Sequence, residues 1–213
     1  MFHVKHHSVD VRHVSRETYD KCCQKVDESE GLKEYASLLF RENQKVNLIS
    51  RRMSEDVFRE HLIHCLLASE LSLIESNTTY VDAGTGGGLP GLPLAILSSD
   101  SVFLLNDKSV KKQISLQRIV NAMQLENVSC HQGDISSFRI DRMVVLLSKH
   151  AFKLKNLIKE TSMLSKKRMI VWKGEDFFDE LRILDKPTLH VVAFDLSGLG
   201  DFYEGKYILD IRM

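Results

Sequence analysis

A chain of 213 residues, 43% hydrophobic and 27% charged, has the make-up of a soluble globular protein with one sizeable core and room for an appendage. Its 29 basic and 29 acidic residues cancel, so global charge gives no sign of nucleic-acid binding. No apolar run approaches the ~20 residues that cross a bilayer, which argues against a membrane protein.

The start, Met1-Phe2-His3-Val4-Lys5-His6-His7, lacks the apolar stretch of a signal peptide. The cysteines Cys22, Cys23, Cys65 and Cys130 show no C-x-x-C spacing, so reduced thiols and a cytoplasmic location are expected. Residues 1–15, with His3, His6, His7 and His13 and little apolar periodicity, read as a loose tail. From 16 to 44, apolar positions at helical spacing predict two short helices interrupted at Gly31. Ser54, with Asp56 nearby, can cap a third helix reaching about residue 73, whose apolar stripe suits packing on a sheet.

Beyond Asn77 short strands and helices alternate. Strands are predicted over 80–83, 102–105, 128–131, 143–147, 168–172, 189–194 and 207–211, and helices over 92–97, 110–123, 153–164 and 176–184. Such alternation implies an α/β fold with a Rossmann-like, mostly parallel seven-stranded sheet, its last two strands pairing antiparallel at one edge. Residues 1–75 then form an N-terminal tail and helical extension on the sheet, and 76–213 a cofactor-binding domain. Lys149 to Lys173 holds eight basic residues against Glu160, which suits either a polyanion-facing edge or a solvated helix face.

Five of the eleven glycines fall between Gly84 and Gly91, where the chain turns from the first strand of this domain into its helix. Gly86-Gly87-Gly88-Leu89-Pro90-Gly91 matches the G-x-G-x-x-G dinucleotide fingerprint, but the acids favour S-adenosyl-L-methionine. Asp82 ends the strand where a ligand ammonium is welcome and a pyrophosphate is repelled. Asp107 ends the second strand, in place for ribose hydroxyls, and Asp134 of Gly133-Asp134-Ile135 follows the third, in place for the adenine amino group. Capping of the helices that follow is the alternative for Asp107 and Asp134. His61, His64 and Cys65 share one helix side, but without a fourth ligand or an H-E-x-x-H order no metal is expected.

Asp82-Ala83-Gly84-Thr85-Gly86-Gly87-Gly88-Leu89-Pro90-Gly91-Leu92-Pro93-Leu94 closely resembles the D-x-G-[ST]-G-x-G-[FL]-P-G-[IL]-P-L signature of the RsmG (GidB) family of 16S rRNA guanine-N7 methyltransferases. Asn47-Leu48-Ile49-Ser50 with Arg52, His61, Asp107-Lys108-Ser109-Val110-Lys111-Lys112, Leu125-Glu126-Asn127-Val128 and Trp172-Lys173-Gly174 extend the resemblance over about residues 32–174. Departures occur at His64 and Cys65, where the family has Asp and Ser, and at Ser148-Lys149-His150-Ala151-Phe152, where it has S-R-A-[FV].

The resemblance implies S-adenosylmethionine-dependent methylation of a guanine in 16S rRNA, on the RNA or the 30S subunit, by a cytoplasmic monomer. Asp82, Gly84, Thr85, Gly86, Gly88, Leu89, Asp107, Gly133, Asp134 and Ile135 are the expected cofactor contacts. Lys149, His150 and Lys173 are expected at the acceptor base or its phosphates, and Arg51, Arg52, Lys111 and Lys112 on the RNA backbone; Phe152, Phe177 and Phe178 are candidates for stacking on a base. Two alternatives stay open: a non-catalytic ribosome-assembly or RNA-binding factor on the same fold, and an NAD(P)-dependent oxidoreductase.

Overall fold

The computed structural model of the protein describes residues 1–4, 7–185 and 187–212, and its first elements are strands, β1 (Phe2–Val4) and β2 (His7–His13). Three serines then set the limits of the N-terminal helices. Ser15 accepts the Thr18 amide and opens α1 (Arg16–Glu28). The Ser29 amide donates to the Lys25 carbonyl and closes α1, while its hydroxyl accepts the Leu32 amide and opens α2 (Glu30–Asn43). The break predicted at Gly31 therefore falls at Ser29. Gly31 lies in the first turn of α2, where a Cβ would stand 2.9 Å from Ile96 Cγ2, so close packing is what requires it. Ser54 caps α3 (Glu55–Glu70), as its sequence context suggests.

From there strands and helices alternate: β3 (Thr79–Ala83), α4 (Gly91–Leu97), β4 (Val102–Asp107), α5 (Val110–Ala122), β5 (Val128–Gln132), β6 (Val144–Lys149), α6 (Leu154–Glu160), β7 (Lys166–Gly174), α7 (Phe177–Arg182), β8 (His190–Asp195) and β9 (Lys206–Arg212). The helix expected over 153–164 ends at Glu160, beyond which the Ser162 and Leu164 amides turn to the carbonyls three residues back, Lys159 (3.2 Å) and Thr161 (3.1 Å).

The sheet has nine strands in the order β1-β2-β8-β9-β7-β6-β3-β4-β5. β3 pairs in parallel with β4 on one side and β6 on the other, and β9 runs antiparallel between β7 and β8. Strand side chains alternate between two cores. Tyr80, Phe103, Leu105 and Leu147 face α1–α5, and Val81, Leu104 and Leu146 face α6 and α7. The helices before β3 thus share a core with one face of the sheet. Between β3 and β6 the strand order reverses, which opens a crevice beyond the carboxyl ends of these strands.

Seven strands are the predicted ones, and the other two come from the segment expected to be a loose tail. Its histidines count as polar in a hydropathy pattern, yet His7 is fully buried. Its Nδ1 accepts the Leu189 amide (3.1 Å) and its Nε2 lies 3.1 Å from the Leu184 carbonyl, so the ring proton is on Nε2 and both nitrogens are satisfied. With Val9 also buried, β2 pairs in parallel with β8, from Ser8 opposite His190 to His13 opposite Asp195. The antiparallel β9 lies inside the sheet between β7 and β8, and β2 covers β8, so the last two strands do not form the edge. His6 falls outside the described residues.

Candidate active site

The glycine turn leaves β3 with hydrogen bonds that fold it tightly. The Gly84 and Thr85 amides donate to the Asn106 carbonyl (2.9 and 3.0 Å), and those of Gly88 and Leu89 to the Thr85 carbonyl (2.8 and 3.0 Å). Gly84 is left-handed (φ 74°), and a Cβ on it would lie 2.6 Å from Ala151 Cβ. Gly88 (φ 106°) is closed in by Leu92 and Leu116. From the other side Tyr35 of α2 donates to the Gly87 carbonyl (2.8 Å), and Leu39, Leu48 and Ile49 pack on Gly87. The Asn47-Leu48-Ile49-Ser50 motif therefore buttresses the turn, with Leu48 and Ile49 amides held by Asn43 Oδ1 (2.8 and 3.0 Å).

Asp82 lies beneath the turn, fully enclosed. Its Oδ2 accepts from Thr85 Oγ1 (2.7 Å) and the Gly91 amide (2.9 Å), while Oδ1 is buried without a partner. Burial pushes its carboxyl up to about 7, against the two hydrogen bonds. Asp82, expected to receive the ligand ammonium directly or through water, stands with Thr85, Gly88 and Leu89 beneath and within the turn, while other residues line the cavity.

That cavity, about 710 Å³, occupies the crevice between β3 and β6. Of the expected cofactor contacts, Gly84, Gly86, Asp107, Gly133, Asp134 and Ile135 line it. Asp107 accepts the Gly86 amide on Oδ2 (3.0 Å) and the Ser109 amide on Oδ1 (2.8 Å), so it ties the turn to the start of α5. Asp134 caps the short 3-10 turn Ile135–Ser137 by accepting the Ser136 amide (2.9 Å), a bond that lowers its pKa. Asp134 alone caps the turn that follows it, and both carboxylates line the cavity. Asn106, Lys108, Ser109, Lys112, Ala151, Asn156 and Glu160 complete the lining without having been singled out as cofactor contacts. Asn156 and Glu160 are four apart on α6, a spacing that gains meaning only once that helix lies over the cavity.

The facing wall carries Lys149, His150 and Phe152. Lys149 Nζ lies 3.0 Å from His61 Nδ1 of α3, and His150 holds a left-handed backbone (φ 53°) at the exposed rim. Lys173 does not reach this wall. It is buried in an ion pair with Glu180 (2.6 Å) and donates to the Phe152 carbonyl (3.2 Å), because the side chain of Lys173 on β7 meets α7. Phe177 belongs to the core and packs on Phe178, so neither is a free stacking platform. Neighbouring Trp172 donates to the His64 carbonyl (2.8 Å) and pins α3 to the sheet.

The basic run from Lys149 to Lys173 is likewise split between the two ends of the sheet. Lys166 and Lys167 start β7, where Lys167 pairs with Glu75 (2.8 Å) and Lys166 donates to the Thr161 carbonyl (2.8 Å), and Arg168 is buried against Asp210 and Glu75. No single polyanion-facing edge is formed.

S-adenosylmethionine fits the residues present. The turn exposes backbone free of Cβ atoms along the cavity, three carboxylates (Asp107, Asp134 and Glu160) line it and can accept from hydroxyl and amino groups, and the partnerless Asp82 Oδ1 underlies it. Comparison with known proteins agrees. The sequence pattern of the family described as rRNA small subunit methyltransferase G matches residues 28–196. The ribosomal RNA small subunit methyltransferase G of Flavobacterium johnsoniae is 34% identical over 181 residues, covering 80% of this chain and 84% of its own. That of Chlorobium phaeobacteroides is 32% identical over 192 residues, 86% of each chain. The crystal structure of an O-methyltransferase from Bacillus cereus, solved with S-adenosylhomocysteine, shares the fold at a TM-score of 0.54 with 13% identity, covering 93% of this chain and 100% of that one. The chain belongs to the rRNA small subunit methyltransferase G family.

Proposed function

We propose that this protein transfers the methyl group of S-adenosylmethionine to N7 of a guanine in 16S rRNA, acting as a cytoplasmic monomer on the 30S subunit. The observation that carries this reading is the cavity at the reversal of strand order, with the glycine turn and acids on one wall and Lys149, His150 and Phe152 on the other. Among the described residues no helix is long and apolar enough to cross a membrane.

S-adenosylmethionine supplies an electrophilic methyl group. Guanine N7 has a free lone pair and no proton, so the protein needs no general base. What the chain must do is hold the base in line at near-attack distance and keep water out. Gly84, Gly86, Asp107 and Asp134 fit the nucleoside and amino-acid parts of the cofactor, and Phe152 of the facing wall packs against Gly84. His150 has its ring exposed at the rim, but the protein packed around it, with Lys149 and Lys206, lowers its pKa and favours the neutral form, which suits it to hydrogen bonding and stacking. Exposed Arg51, Arg52 and Lys111, with Lys112 at the cavity, suit the phosphates of a splayed loop, because N7 in an RNA duplex sits in a groove too narrow for side chains.

The test is titration calorimetry with S-adenosylmethionine and NADPH, followed by methyl transfer to 30S subunits that lack the modification. Selective binding of S-adenosylmethionine and modification at guanine N7 are expected. Binding without transfer to subunits or free RNA would leave an RNA-binding factor, and preference for NADPH would leave an oxidoreductase.

A further inference from the structure

Lys149 closes β6 at the cavity wall with its ammonium 3.0 Å from His61 Nδ1. An ammonium can only donate, so this imidazole nitrogen accepts and the His61 proton is on Nε2. Among the described residues no carboxylate forms an ion pair with Lys149, whereas Lys153 and Lys173 both reach Glu180 (3.4 and 2.6 Å). Imidazole and aromatic carbon surround Lys149, and the Cys65 thiol and Asp82 carboxyl are near enough to act on its charge. His61 stands edge-on to Phe202 at 5.0 Å, Lys206 Nζ lies 3.7 Å over the Phe202 ring, and His64 is fully buried behind them, 6.0 Å from His150, with both ring nitrogens partnerless.

These imidazoles are neutral at pH 7. Burial first, then Lys149, Lys206 and His150, brings His61 down to about 3, and burial lowers His64 further than its neighbours' charges do. Among the described residues Lys149 thus has no ion-pair partner, only the influence of Cys65 and of Asp82, both groups whose own pKa is raised by burial, and it lines the cavity. Guanine offers two acceptors on that edge, O6 and N7, while adenine replaces O6 by an amino donor. A donor on N7 would block the lone pair that reacts.

We propose that His61 is a positioning residue that aims the Lys149 ammonium at O6 of the acceptor guanine, which leaves N7 free for the methyl group and rejects adenine. The proposal rests on the guanine-N7 reading above. It also gives the departures from the family pattern a shared place, since His64, Cys65, Lys149 and His150 all belong to this cluster.

The test uses the full chain. With 15N-labelled histidine, His61 is expected as the Nε2-protonated tautomer, and Lys149→Met is expected to move its Nδ1 resonance. An Nδ1-protonated ring, or a resonance that ignores Lys149→Met, overturns the pairing regardless of activity. In methyl transfer to unmodified 30S subunits, His61→Ala should lower kcat by about ten- to a hundredfold while the affinity for S-adenosylmethionine holds. His61→Asn, whose Oδ1 can take the place of Nδ1, should recover most of that loss, which a general fault in folding would not allow. The double variant should be no slower than Lys149→Met; losses that multiply would show that His61 does not act through Lys149.

Two readouts address the O6 interaction itself. Subunits carrying 2-aminopurine for the target guanine keep N7 and lack O6; they should react slowly with the wild type and no more slowly with Lys149→Met, and an undiminished wild-type rate overturns the O6 interaction. The wild-type rate should also fall at high pH as Lys149 deprotonates, below the ordinary lysine range, because burial outweighs the opposing influence of Cys65 and Asp82. His61, His64, His150 and Lys206 also face this group, and the basic limb should vanish in Lys149→Met. A limb retained in that variant belongs to another residue and counts against the proposal. A wild type that transfers no methyl removes the guanine interaction together with the functional reading, and the His61 resonances still decide the pairing.

Discussion

The two walls of the cavity are built by different means. On the cofactor side, Gly84, Gly86, Asp107 and Asp134 lie within a few residues of strand ends, and their bonds are short-range or between adjacent loops. On the acceptor side, Lys149 meets a histidine 88 positions away, and His64 and Phe202 come from α3 and the segment before β9. The first wall is dictated by local backbone geometry. The second exists only because α3 and the β8–β9 connection pack over the end of β6, so it can vary from chain to chain while the turn stays fixed.

The largest expected effect breaks the scaffold behind the second wall. Lys173→Met leaves buried Glu180 with only Lys153 (3.4 Å) and the Leu154 amide (2.6 Å) and should cost up to about 3 kcal/mol in denaturant unfolding, while Lys173→Met with Glu180→Leu should regain much of it. A stable Lys173→Met protein that had lost only RNA affinity would instead return Lys173 to the substrate. Next comes the first wall. Gly84→Val forces a Cβ onto Ala151 in a left-handed backbone, and it should weaken S-adenosylmethionine by about a hundredfold in calorimetry while circular dichroism remains native. An unchanged Kd in the folded variant would detach the turn from the cofactor.

This contrast also explains what could be read from the sequence. The glycine turn and the acids after β4 and β5 were legible, because a glycine needed for φ above zero and an acid at a strand end leave local signs. Asp82 was legible as important, but nothing in the sequence says that Thr85 and Gly91 take its Oδ2. Lys173 was misplaced because alternation along β7 does not reveal which face holds an acid from α7. The N-terminal strand escaped because His7 satisfies both nitrogens on partners 177 and 182 positions away, and a histidine counted as polar hides the alternation with Val9.

A smaller effect separates support from direct ligation at Asp82. Its carboxyl titrates near 7 in the folded protein and near 4 when unfolded, so the folded state holds the proton more tightly between these values. Stability should therefore fall as pH rises from about 4 to about 7. Asp82→Asn, which keeps an acceptor for Thr85 and Gly91, should flatten that slope in urea unfolding. An unaltered profile would assign the slope to other groups.

The smallest effect sharpens the comparison by leaving the cavity altogether. Lys166 and Lys167 stand at the start of β7, opposite the start of β6, whereas the cavity lies beyond the other ends of these strands. Lys167 is paired with Glu75 and Lys166 with a carbonyl. If RNA enters over Lys112 and Lys149, replacing both Lys166 and Lys167 by Gln should leave the affinity for 30S subunits and its salt slope unchanged. The matching pair Lys111→Gln and Lys112→Gln, beside the cavity, should reduce that slope by up to about two, one for each phosphate no longer neutralised. A slope that drops for the first pair and not for the second would put the RNA across the opposite end of the sheet and would separate phosphate binding from the wall that holds Lys149.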